Sequence, residues 1–99
     1  MYKTVTSFRG MAVAPHYLAA EAGLNILREG GNAVEAAVSM AATLSVVYPH
    51  MTGLGGDAFW TVYEPASGKV LCIDGSGLSG ERVNFDYLRA QGLCAPQQR

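Results

Sequence analysis

Charge is what this chain has least of. Charged residues make up 15% of its 99 positions, against about 25% in ordinary soluble domains. So few charges cannot coat the whole surface of a small free domain. With a hydrophobic fraction of 49%, the composition points to an interior piece of a larger protein, one domain at most. The formal net charge is −1 and the Lys and Arg residues are scattered, which excludes the basic stripe of a nucleic-acid binder. Cysteine is scarce too. Cys72 and Cys94 are too far apart for a zinc knuckle or a redox pair. They are expected as free thiols, Cys72 buried on a strand, in a reducing compartment. The opening MYKTVTSFRG has no apolar h-region, so no secretory signal is visible and a cytoplasmic location is expected. The longest apolar run, Ala33 to Tyr48, is interrupted by Glu35 and falls short of the ~20 residues of a membrane span. No membrane or nucleic-acid partner is expected.

What the chain does have is apolar periodicity punctuated by glycine. Gly10 to Ala14, GMAVA, reads as a short buried strand. Pro15 stops it and suits the first turn of a helix. A first helix is expected over about His16 to Glu29. Leu18, Ala19, Ala22, Gly23, Ile26 and Leu27 share one face, and Glu21, Asn25 and Arg28 the other, the three-and-four spacing of an amphipathic helix. Gly23 on the inner face allows a close approach. Gly30 and Gly31 end this helix with a left-handed residue. Asn32 then caps the next, with Glu35 completing a capping box. The second helix, about Ala33 to Val47, is apolar almost all round, with Glu35, Ser39 and Thr43 as a thin polar row. Such a helix is expected to be buried on several sides.

Pro49 to Glu64, PHMTGLGGDAFWTVYE, is the hinge of the pattern. Gly53, Gly55 and Gly56 surround Leu54 between the apolar helix and a strand over Ala58 to Glu64. The ordinary reading is a tight helix-to-strand connection; the sharper one is a loop lining a pocket. Glycine reaches φ > 0 without steric cost, so at least one of Gly55 and Gly56 is expected there. Pro65 to Gly68 reads as a turn and Lys69 to Asp74 as a returning strand, giving a hairpin. Its faces are largely apolar, so layers are expected on both sides. A second glycine cluster, Gly75 to Gly80, leads to a short helix capped by Asn84 and closed by Gly92.

Little of this carries chemistry by itself. GLGGDA, Gly53 to Ala58, fits the form of a dinucleotide fingerprint, but that motif needs a strand before it and a helix after it. Here the order is reversed, so no nucleotide or other cofactor is expected. His16 and His50 each follow a proline at an element boundary, which suits a capping or surface role. Neither has a second ligand at metal-binding spacing, so no metal is expected. Asp57 and Asp74 lie beside the glycine clusters, where capping of loop amides is the expected use. Ser76 stands between two glycines with no identifiable base. A complete small α/β interaction module is the alternative reading of such a chain.

The ordered combination of these motifs resembles the γ-glutamyltranspeptidase family of N-terminal-nucleophile hydrolases. The likeness runs from Gly10 to Glu64. It lies in AAEAGLNIL within the first helix, in the GGNAVEAAV junction and in the PHMTGLGGDAF loop. It implies an α/β (α+β) fold, part of a four-layer αββα sandwich: a short strand, two helices, a hairpin and a short helix. It makes residues 1–99 an incomplete N-terminal part of the large-subunit domain. It implies transfer or hydrolysis of a γ-glutamyl or related acyl group by a threonine that becomes N-terminal on self-cleavage, its amine serving as base. That threonine is expected downstream of Arg99, so no catalytic residue lies here. The implied partners are the rest of the large subunit, the small subunit and a small acyl-amide substrate. One position departs. After the second strand the transpeptidases place an arginine, followed by Glu-x-Ala-Pro, that holds the glutamyl α-carboxylate. Aligned from Ile73-Asp74-Gly75, this chain has Ser76 there, and Arg82 is displaced. Ser76 is thus the expected substrate-binding position. A serine hydroxyl does not replace a bidentate guanidinium grip, so strict γ-glutamyl specificity is not expected.

Overall fold

The computed structural model describes residues 4–81 and 83–92. The element order is α1 (Tyr17–Arg28), α2 (Ala33–Val47), β1 (Ala58–Glu64), β2 (Lys69–Gly75) and α3 (Phe85–Ala90). The fold is mixed α and β, as expected.

Each helix boundary has a local cause. His16 is the N-cap of α1, with its Nδ1 accepting the Leu18 N–H at 3.3 Å. Pro15 therefore lies just before the cap instead of in the first turn. At the other end Gly30 has φ 91°. The Gly30 N–H donates to the Leu27 carbonyl at 3.3 Å and the Gly31 N–H to the Ile26 carbonyl at 2.9 Å. These are the two bonds of a Schellman cap, which satisfy the last carbonyls of a helix. One residue later Asn32 opens α2. Its Oδ1 accepts the Glu35 N–H at 2.9 Å while Glu35 Oε2 accepts the Asn32 N–H at 2.8 Å, a complete capping box. Thr43 donates to the Ser39 carbonyl and Ser45 to the Ala41 carbonyl. These hydroxyls are thus satisfied within the helix.

The two helices pack on each other at Ala19, Gly23 and Ala36, which are buried. Gly23 is the point of close approach: a Cβ there would lie 2.6 Å from Met40 Cγ and 3.3 Å from Ala12 Cβ. β1 and β2 form an antiparallel hairpin, with Ala58 opposite Gly75 and Glu64 opposite Lys69. Its turn, Pro65 to Gly68, is closed by the Gly68 N–H on the Glu64 carbonyl at 2.9 Å, with Gly68 at φ 67°. In α3 the Asn84 side chain accepts the Tyr87 N–H at 2.9 Å, and Gly92 has φ 71°.

Four expectations are corrected. Gly10 to Ala14 forms no strand, because no neighbouring strand among the described residues offers it a ladder. Among the described residues the α2 helix packs on α1 and borders the loop at residues 52–57, and it is not buried on several sides. Val34, Val38 and Val46 are 44%, 53% and 77% exposed. Cys72 is exposed, as is all of β2; among the described residues the hairpin is half-covered only on the β1 face that carries Ala58, Trp60 and Val62. Gly53, Gly55 and Gly56 are not among the positive-φ glycines. A Cβ at Gly53 or Gly55 would meet nothing within 4 Å, and one at Gly56 only the Gly53 carbonyl at 3.6 Å. Neither backbone conformation nor crowding within these residues demands glycine there. Cys94 and Arg82 lie outside the described residues.

The first three of these corrections share one cause. The accessible surface is 8979 Å², whereas a closed globule of this mass exposes about 5,400 Å². The radius of gyration is 19.1 Å, against about 13 Å for a compact domain of this length. The chain is an open arrangement of a helical pair and a hairpin, and its apolar faces lack the layers that would close a core.

Candidate functional site at the open end of the hairpin

The ladder brings the two glycine clusters to one end of the hairpin. Because Ala58 pairs with Gly75, Asp57 and Ser76 are the first residues beyond the ladder on the two strands. Gly75 fits tightly here: a Cβ on it would lie 2.7 Å from the Ala58 carbonyl oxygen. The Asp74 carboxylate reaches across Gly75 and accepts the Ser76 N–H at 3.0 Å. Hydrogen bonds from the Ser76 backbone N–H and then from its hydroxyl hold the Asp74 carboxyl below its ordinary value of 3.8. A carboxylate that accepts such bonds is favoured in its ionised form. Gly77 follows at φ 72°, a left-handed conformation that turns the chain directly after Ser76. The expected loop-capping use of Asp74 is therefore seen, and Ser76 is held on an exposed turn.

On the other strand, residues 52–57 run from α2 into β1. With Ala41 and Ser45 of α2, and with Trp60, this loop lines a groove of about 290 Å³. The loop connects helix to strand and also borders a groove, so both readings of it apply. Residues 53–58 follow α2 and lead into β1, the helix–loop–strand order expected of them. Trp60 and Thr52 were not legible as groove residues; nothing in their local sequence marks them, and only the placement of α2 against the loop does.

The histidines lie elsewhere. His16 caps α1 and stacks on Tyr17 with ring centroids 4.8 Å apart. His50 packs on Tyr48 at 4.3 Å. Among the described residues, no three of His, Cys, Asp and Glu gather as a metal-ligand group.

The sequence model of the Gamma-glutamyltranspeptidase family matches residues 19–98. Over 91 residues the chain is 50% identical to the glutathione hydrolase-like YwrD proenzyme of Bacillus subtilis, covering 92% of this chain and 17% of that protein. It is also 50% identical over 91 residues to the oxamate amidohydrolase proenzyme of Klebsiella pneumoniae, with the same two coverages of 92% and 17%. The fold superposes on the solved γ-glutamyltranspeptidase of Pseudomonas nitroreducens with a TM-score of 0.74 and 36% identity, over 81% of this chain and 23% of that one. The chain thus spans about a sixth of the length of these sequence relatives. The matching profile, the level of identity and the superposition agree, and the chain belongs to the γ-glutamyltranspeptidase family.

Proposed function

We propose that this chain is the N-terminal part of the large subunit of a transpeptidase-like amide hydrolase or acyltransferase whose acyl substrate is not strictly γ-glutamyl. The nucleophile is an N-terminal threonine in a part of the polypeptide outside these residues, freed by self-cleavage. The 99 residues alone are inactive. Their partners are the rest of the large subunit and the small subunit, and the enzyme works in the cytoplasm. Both sequence relatives are named proenzymes, which supports activation by cleavage. The open surface of the chain supports its role as one layer of a larger sandwich and argues against a free interaction module.

The observation that carries the reading is Ser76. It follows Ile73-Asp74-Gly75 on the exposed turn, where the family resemblance places a glutamyl-binding arginine. Without that guanidinium, a glutamyl carboxylate is desolvated at this turn with no fixed partner. Breaking a buried charge pair costs roughly 2–5 kcal/mol, so glutathione is a poor substrate. The 50% identity to a protein named an oxamate amidohydrolase supports a substrate outside the γ-glutamyl class. The test is kcat/KM of the full polypeptide for γ-glutamyl-p-nitroanilide, glutaryl-p-nitroanilide and oxamate, in the parent and in Ser76→Arg. The parent is expected to favour a non-glutamyl amide, and the variant to shift toward the γ-glutamyl donor. A parent that strongly prefers γ-glutamyl would overturn the reading.

A further inference from the structure

Ser76 is held from three sides. On one, Gly75 lies against the Ala58 carbonyl, closer than any side chain would allow. On another, the Asp74 Oδ1 accepts the Ser76 N–H at 3.0 Å across that glycine. On the third, Gly77 at φ 72° reverses the chain at once. Residues 76–80 have no regular secondary structure, so ladder hydrogen bonds do not fix Ser76. Among the described residues, the Asp74 carboxylate is the side chain that ties Ser76 to the end of β2. Aspartate suits this because its short side chain reaches the amide two residues on, closing a ring of turn-like size. Glutamate, one methylene longer, does not close the same ring.

We infer that Asp74 is a positioning residue for the acyl pocket, setting where Ser76 stands relative to the bound acyl group. This inference rests on the proposed function, which places the turn in that pocket. Asp74 acts through the turn and touches no reacting atom. What matters is its acceptor geometry. Asparagine, which keeps the Oδ1 acceptor without the charge, is therefore a working substitute, and glutamate, which keeps the charge and moves the acceptor, is not.

The experiment uses the full polypeptide with Asp74→Asn, Asp74→Glu, Asp74→Ala and, separately, Ser76→Ala. It reads kcat and KM for whichever acyl amide the parent prefers, together with thermal midpoint and self-cleavage. Asp74→Glu and Asp74→Ala are expected to raise KM by about tenfold, the effect of losing one well-placed recognition element. Their kcat, thermal midpoint and self-cleavage are expected to stay near the parent, and Asp74→Asn is expected to restore KM. A merely structural role would move the thermal midpoint and leave the split between KM and kcat untouched. If Ser76→Ala alters acyl preference while Asp74→Glu and Asp74→Ala leave KM unchanged, the positioning role is overturned and the pocket reading stands. If Ser76→Ala leaves every acyl amide unchanged, the pocket reading fails and the inference falls with it. Should Asp74→Ala lower the thermal midpoint, the comparison of asparagine with glutamate still decides between acceptor geometry and charge.

Discussion

In the helical pair Ala19 is fully buried and Ala36 is 3% exposed, whereas every residue of β2 is exposed. The two regions use the same apolar vocabulary and reach different states. Each of α1 and α2 satisfies its backbone internally and has one partner face in the other helix, joined by a short capped turn. Their mutual packing therefore needs nothing from outside. A two-stranded hairpin satisfies only its inner backbone groups and leaves two faces and two edges open. Hairpins of this kind are marginal until other strands or helices cover them. Local chemistry thus brings the two helices together along one face, while the hairpin, for all its aromatic and β-branched residues, stays largely exposed.

The sharpest way to break this comparison is to place a charge between the helices. Ala19→Asp in the full polypeptide buries a carboxylate with no partner and is expected to cost several kcal/mol, roughly 3 or more. Soluble yield and thermal midpoint should both fall. A variant as stable as the parent would show that α1 and α2 do not meet there. An effect of about 1 kcal/mol is expected for Asn32→Ala, which removes the acceptor for the Glu35 N–H and half of the capping box. Thermal unfolding beside a surface control would resolve it. The smallest effect belongs to the glycine loop. Gly55→Ala meets open space at an ordinary backbone conformation, and within these residues it should stay inside about ±0.5 kcal/mol. Gly75→Ala, whose Cβ would lie 2.7 Å from the Ala58 carbonyl, should be clearly worse in the same assay. If Gly55→Ala proves the more damaging of the two, a covering layer presses on the loop, and the hairpin end is more enclosed than the helical pair.

Much of the secondary structure was legible because its signals are local. His16, Asn32 and Asn84 each accept an N–H within three residues of themselves. Gly30, Gly68 and Gly92 take positive φ where a helix or strand must end. The hairpin boundaries came out within a residue, since a four-residue turn between β-rich runs leaves one plausible register. The candidate site was legible in part. Asp74 beside a glycine-rich turn announced an amide acceptor, whereas Ser76 was singled out only by the family resemblance, which places an arginine there. The strand expected at Gly10 to Ala14 and the buried Cys72 were misjudged for one reason. Apolar composition reports that a face will be covered, without reporting by what. The glycines of the loop were misjudged differently: glycine permits positive φ and does not require it.

The caps, the helix that can tolerate burial, the hairpin register and the family are set along the chain, because each is written in neighbours a few residues apart or in an ordered string of motifs. Spacing puts Gly23 on the inner face of α1, but it took the tertiary arrangement to bring Met40 of α2 against it. It alone brought the loop at residues 52–57 against α2 and Trp60 to line a groove. It alone fixed how the Asp74 carboxylate spans Gly75 to hold Ser76. Those facts depend on which surfaces approach each other in space, and separation along the chain carries no record of that.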